Sequence, residues 1–266
     1  SGTLPALDGS ALTGINNSIS TIAVDPTITT NPADGVGTLI INSASGEMYV
    51  CTDATTDENV WTNVGGGSGD VKPFHAAGST YGYVAGGFLS GYADENLIEQ
   101  FPYATESVMQ NHGNLRTGKG NGCSGQSSTT HGYVGGGRNP AENTIDKFAF
   151  SSNVTATGQG TLTLARAGST GHYSETQGYT AGGHTGSGGS GASNIIDTFS
   201  FASLGNASDH GDLSSACHYL SGQTSETHGY VAGGTRSSQT NVIERYSFSN
   251  TNGASDCGDL SAARNQ

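Results

Sequence analysis

The chain has 266 residues, of which 43 are glycine and only 12% are Asp, Glu, Lys or Arg, and its formal net charge is −13. Glycine well above and charge well below the usual share favour an all-β, turn-rich chain over a helical one. The negative balance argues against nucleic-acid binding and against docking on an anionic membrane, and no apolar run is long enough to insert in a bilayer.

Residues 1–32 lack steady periodicity and are rich in small polar residues, so alone they could not bury a core. They predict an extended N-terminal arm that packs against a partner chain or contributes to a trimeric stalk. The chain begins at Ser1 with no methionine and no charged-then-apolar leader, which points to processing or to a longer parent chain. Residues 33–64 predict a small β-hairpin module. In it the alternating runs GTLIIN (37–42) and EMYVCT (47–52) flank Ser43-Ala44-Ser45-Gly46, a hairpin signal. An acidic loop with Asp53, Asp57 and Glu58 follows, then NVWTNV with the single tryptophan, Trp61. Residues 65–70 read as a glycine-rich flexible linker.

From 71 to 266 the chain repeats itself four times. Gly-Tyr recurs at Gly82, Gly132, Gly178 and Gly229, at offsets of 50, 46 and 51 residues. A glycine doublet follows each: Gly86-Gly87, Gly136-Gly137, Gly182-Gly183 and Gly233-Gly234. A second block comes next, NLIEQFPY, NTIDKFAF, NIIDTFSF and NVIERYSF, and then a closing block, GNLRTGK, GTLTLAR, GDLSSAC and GDLSAAR. The second block alternates as a half-buried strand does, with Thr144, Asp146, Phe148 and Phe150 on one face and Ile145 and Lys147 on the other. Of the twenty aromatic residues, twelve fall on three repeat positions, a regularity that predicts packing between sheets rather than a binding stripe. Periods near 50 residues with a glycine pair ending a strand point to a propeller or solenoid.

The pattern resembles the kelch motif of β-propellers. The glycine pair, the run Glu244-Arg245-Tyr246 and the closing Arg264 sit where a kelch repeat has them; Arg166 matches the closing basic position and Lys119 does so conservatively. Cys217 departs from it, which puts the buried-arginine role of that position in question in the third copy, and the tryptophan usual in kelch strands is missing from the repeats. The resemblance implies an all-β, kelch-like β-propeller with four visible repeats, preceded by the arm and the hairpin module. Four blades is the low end for such a fold, so the alternatives are a chain continuing beyond Gln266 or closure by a second copy. A further resemblance lies in the run from PALDGSALTG to VCTDATTDENVWTNVG, which is similar to segments of tail-fibre and structural proteins of marine tailed bacteriophages. It implies a virion structural protein, assembled in the host cytoplasm, touching other virion proteins through the arm and host surface glycan or envelope through the propeller.

The spacing from the second aromatic to the closing glycine is ten residues in every copy, so length variation lies between the glycine doublet and the second block. Those loops (88–95, 138–142, 184–193 and 235–240) are the expected recognition surface, with Phe88, Tyr92, Arg138, His184 and Arg236 as candidate ligand contacts. Glu99, Asp146, Asp197 and Glu244 recur at one position. A catalytic carboxylate pair would not be stamped on every repeat, so these acids predict hydrogen bonds to a neighbouring strand. His131 and His228 share a position filled elsewhere by Tyr81 and Gln177, which reads as a turn-side polar residue and not a metal set. Cys51, Cys123, Cys217 and Cys257 have no common repeat position and read as reduced, buried small residues. No phosphate loop or nucleophile elbow is evident, so no cofactor, metal or catalytic residue is expected. The primary expectation is a non-enzymatic, homo-oligomeric virion protein. A cellular adhesin or filament subunit and a glycan-cleaving propeller enzyme are the alternatives.

Overall fold

The computed structural model describes residues 19–65, 80–88, 93–120, 122–137 and 141–265. The chain divides after His75 into two compact units. The described residues are all-β, with several small sheets and a single short 3-10 turn, Ser187–Gly189. Among them no helix is long and apolar enough to cross a membrane.

The N-terminal unit is one sheet of four strands: β1 (Ile19–Ile22), β2 (Leu39–Asn42), β3 (Met48–Asp53) and β4 (Val60–Asn63). Its buried face carries Ile40, Tyr49, Cys51 and Trp61. The hairpin turn forms where Ser43–Gly46 placed it: Asn42 Oδ1 accepts the N–H of Ala44 at 2.8 Å, and Gly46 has φ +79°. Of the expected arm, residues 1–18 lie outside the described residues, and from residue 19 onward the segment is part of this sheet rather than extended away from it. There β1 pairs in parallel with β2 of its own chain, and the buried Asn59 amide donates to Ile28 O and Asn31 Oδ1, each at 2.7 Å. The segment is short and unpatterned, and it is held by the backbone ladder and the buried amides of Asn59 and Asn42, the latter donating to Asp25, rather than by an apolar stripe.

The second unit is a series of four antiparallel sheets in which each strand pairs with its chain neighbour. The first holds β5 (Tyr81–Ala85), β6 (Leu97–Pro102) and β7 (Gln110–Asn114). The second holds β8 (Ser124–Ser127), β9 (His131–Gly135), β10 (Thr144–Ala149) and β11 (Thr157–Thr161). The third is β12 (Thr170–Tyr173), β13 (Gln177–Ala181), β14 (Ile195–Ser200) and β15 (Ser208–Asp212). The fourth is β16 (Ser221–Thr224), β17 (His228–Ala232), β18 (Val242–Ser247) and β19 (Ser255–Asp259).

The sheets pack face against face, and the core lies in the seams between them. Ile98 and Leu115 of the first sheet meet Val134 and Phe148 of the second. Tyr133, Ile145 and Leu162 of the second meet Phe199 of the third, and Tyr179, Ile196 and Leu213 of the third meet Val231 and Tyr246 of the fourth. An inner sheet is therefore covered on both faces, which is why Ile145 on one face and Asp146 and Phe148 on the other are all buried. The recurrent aromatics build these seams. The Tyr of each of the first three Gly-Tyr pairs stacks on the second ring of the next sheet: Tyr83 on Phe150 and Tyr133 on Phe201, both at 4.7 Å between centroids, and Tyr179 on Phe248 at 4.5 Å.

Both glycines of every doublet have positive φ. The turn they make clamps the carbonyl that ends the closing block. Gly87, Gly137, Gly183 and Gly234 donate their N–H to the carbonyls of Lys119, Arg166, Cys217 and Arg264 at 2.8–2.9 Å. A side chain on the first glycine of the pair would strike that same oxygen. This is the local reason for glycine here.

Candidate functional site

The loops expected to carry recognition hang from an identical frame. The second glycine's carbonyl accepts an N–H from the far end of its loop: Glu95 to Gly87 at 2.9 Å, Glu142 to Gly137 at 3.1 Å, Ser193 to Gly183 at 2.8 Å and Thr240 to Gly234 at 3.0 Å. The far end is then tied to the closing block, as in Lys119 N–H to Glu95 O at 2.9 Å and Arg166 N–H to Glu142 O at 3.2 Å. Loops of different length and composition thus start and finish at fixed points.

Of the five candidate contacts, Tyr92 and Arg138 lie outside the described residues. Phe88 is exposed and forms a bridge with Asp94 across its loop. His184 turns inward and is 1% exposed. Its Nδ1 sits 2.7 Å from Gly186 O and its ring packs edge-on against His218 and Tyr219. Burial and the neighbouring His184 lower the pKa of His218, and Tyr219 is one of two described non-glycine residues with positive φ. Arg236 also has an internal partner, Glu244, with Nη2 3.0 Å from Oε2.

Arg236 resolves the departure at Cys217. Each seam carries the recurrent acid of one sheet against the closing segment of the preceding sheet. Asp146 accepts the backbone N–H of Arg116, Asp197 that of Thr163 and Glu244 that of Ser214, each at 3.0 Å. A cation completes each carboxylate: Arg116 for Asp146, Arg166 for Asp197 at 3.0 Å, and for Glu244 the loop residue Arg236. With Cys217 in the closing position the positive charge arrives from the next sheet's loop. Lys119, fully buried, serves Glu142 at 2.7 Å and Thr144 Oγ1 at 2.8 Å. Burial pulls the Arg166 pKa down and Asp197 beside it pulls it back up.

Two further seam positions escaped the reading of the sequence. In all four sheets the register slips between the Ile and the acid of the second block, leaving one bulged residue opposite: His112, Gln159, His210 and Cys257. A bulge re-aims its side chain. Here His112 Nε2 lies 2.8 Å from Ala149 O, Gln159 Nε2 donates to Ser200 O at 3.0 Å and His210 Nε2 lies 2.8 Å from Ser247 O, all in the following sheet. The signal was a polar residue directly before the closing glycine. The second position is on the first strand. Gln126 donates to Tyr179 O at 2.8 Å, and His172 Nε2 lies 2.8 Å from Tyr230 O.

No family model matches the chain, and none of the curated proteins matches it in sequence. The chemistry available is therefore read from the residues alone. Among the described residues no three or more His, Cys, Asp or Glu side chains gather as a metal set would require. All four cysteines are free, and Cys257 corrects the expectation of burial, since β19 has no sheet beyond it and leaves that thiol exposed. A cleft of about 360 Å³ opens between the first two sheets, lined by Tyr81, Tyr83, Tyr103, Gln126, Phe148 and Phe150 among others. Among the described residues the first sheet has three strands, β5 to β7, where the other three sheets of this unit have four.

His172, on β12, gives the seam between the third and fourth sheets a defined acid sensitivity. It is fully buried, with Nδ1 2.9 Å from the Tyr246 hydroxyl, and burial pushes its pKa down to about 4 while the Tyr230 carbonyl works weakly against that shift. The unfolded chain binds this proton near pH 6.5 and the folded chain only near 4. Stability is thus complete above the upper value and falls as the pH drops through that window, by about 3 kcal/mol in all. Gln126 makes the same contact in the sheet before, so His172→Gln keeps the hydrogen bond. Urea midpoints measured from pH 7 to 4 are expected to fall less steeply in this variant; unchanged slopes would place the acid sensitivity elsewhere.

Proposed function

We propose that the second unit is a kelch-like β-propeller assembly and that the protein is a non-enzymatic structural component of a tailed-phage virion, a tail fibre or appendage, recognising host surface glycan or envelope. One observation carries the reading. The side chains that recur in the repeats are committed to joining one sheet to the next, while sequence and length vary in loops hung from a common frame. A rigid repeat with variable loops is a recognition scaffold. Phe88 is the exposed aromatic at such a loop, suited to stacking on a sugar ring, and Arg236 and His184 support their loops from within. Weak contacts per chain become strong through many copies on one particle. The virion assignment rests on the phage-like run through residues 5–65. Four free cysteines agree with assembly in a reducing cytoplasm.

The test has two parts. Peptides of this chain are expected in purified virus particles, and the isolated protein displayed on beads is expected to bind a panel of bacterial surface polysaccharides. Phe88→Ala should reduce that binding without lowering the melting temperature. Arg236→Ala should lower the melting temperature. Absence from every particle preparation would overturn the virion reading, and polysaccharide binding indifferent to all four loops would overturn the recognition reading.

A further inference from the structure

Both halves of a fourth seam are present on this chain, and among the described residues neither is used. On the trailing side of the fourth sheet, Tyr230, Ile243 and Leu260 are only half-buried. Their counterparts in the third sheet, Tyr179, Ile196 and Leu213, are at most 2% exposed. Arg264, the equivalent of the fully buried Arg166, is exposed, and its guanidinium bonds only locally to Ala262 and Ser261. Gln223 occupies the position of Gln126 and His172 but stands exposed.

The leading side of the first sheet is open in the same way. Tyr103 is 58% exposed and Val84 48%, whereas their counterparts Phe150 and Val134 pack against the sheet before them. Glu99 holds the position of Asp146, Asp197 and Glu244, and no described residue bonds its carboxylate.

We propose that the fourth sheet of one copy docks on the first sheet of a second copy of this chain, making the seam that occurs three times inside it. The pairing follows residue by residue. Tyr230 covers Phe101 and Tyr103, as Tyr179 covers Tyr246 and Phe248. The Ser261 N–H and the Arg264 guanidinium meet Glu99, as Thr163 and Arg166 meet Asp197. Gln223 reaches the carbonyl of Tyr83, as Gln126 reaches that of Tyr179. Only the bulge contact is missing, since Cys257 stands where His112, Gln159 and His210 bridge the other seams. The contact is heterologous, with two different surfaces meeting head to tail. The inference rests on the internal seams and is independent of the virion reading.

Native mass spectrometry and sedimentation of the purified protein test it with two variants whose changed residues are exposed in the single chain. Wild type is expected to self-associate. Tyr103→Asp spoils the leading face and Arg264→Glu the trailing face, and each should weaken association about thirtyfold or more without changing the melting temperature. Mixed together, the two variants should form a one-to-one pair, because one seam between them is wild type on both sides. A wild-type protein that stays monomeric overturns the proposal. So does a mixture that stays monomeric while wild type associates, or an association that neither substitution weakens.

Discussion

Replacing Gly182 by alanine is expected to destabilise the repeat unit by about 3 kcal/mol or more. The glycine sits at φ +66°, and an added Cβ would stand 2.6 Å from the carbonyl oxygen of Cys217. The left-handed conformation alone costs a non-glycine residue about 1–2 kcal/mol. The overlap adds to this because the oxygen cannot retreat. The Gly183 N–H holds it at 2.8 Å, and the Cys217 N–H is itself tied to Ser193 O at 3.1 Å. Gly188 is the matching control, with φ +67° and nothing within 4 Å of a Cβ added there. Gly188→Ala should cost only the conformational part. Urea midpoints of the two variants, compared with wild type, separate strain from overlap. Equal losses would mean that the doublet serves backbone conformation alone and does not clamp the closing block.

How much of this was legible in the sequence depends on whether a contact lies within one copy or between two. The repeat, the glycine doublets and the strand character of the second block show directly, because their causes are local: positive φ and period-2 alternation. The recurrent aromatics and acids read as packing and hydrogen-bonding groups, since a feature present in every copy serves what every copy shares, and Asp146, Asp197 and Glu244 each bond the sheet before them. Their partners were not readable. Asp197 bonds Thr163, 34 positions earlier, and no spacing rule points there. The bulged residues His112, Gln159 and His210 were missed because a one-residue register slip appears only once strands are paired. Cys217 looked like a lost cation. Its replacement, Arg236, comes from the adjacent sheet's loop and so resembled a recognition residue. His184 was misleading for a related reason: its loop is glycine-rich and reads as solvent-facing, while the ring folds under it against His218 and Tyr219. In the N-terminal unit the parallel pairing of Ile19–Ile22 was hidden, because four residues of an edge strand carry too little pattern to mark a partner.

The seam between the second and third sheets offers the sharpest measure of what joins one repeat to the next. Arg166 and Asp197 are both fully buried, with Nη2 3.0 Å from Oδ2. Asp197→Asn keeps an oxygen for the Thr163 N–H but leaves the guanidinium without a counter-charge, at an expected cost of about 3–5 kcal/mol. Arg166→Met added to Asp197→Asn removes that stranded charge. It also replaces the guanidinium by an apolar chain that fills much of the same space, so the double variant should regain at least about half of the loss. The third seam already supports this logic, because its closing position holds uncharged Cys217 beside a carboxylate that another arginine neutralises. Urea midpoints for the two single variants and the double complete the cycle. A double variant no more stable than Asp197→Asn would show that the ion pair contributes little. The stack of Tyr133 on Phe201 and the Gln159 bridge would then hold the seam, and the row of sheets would owe its cohesion to aromatic packing and backbone carbonyls, with the charges serving only to fill space without penalty.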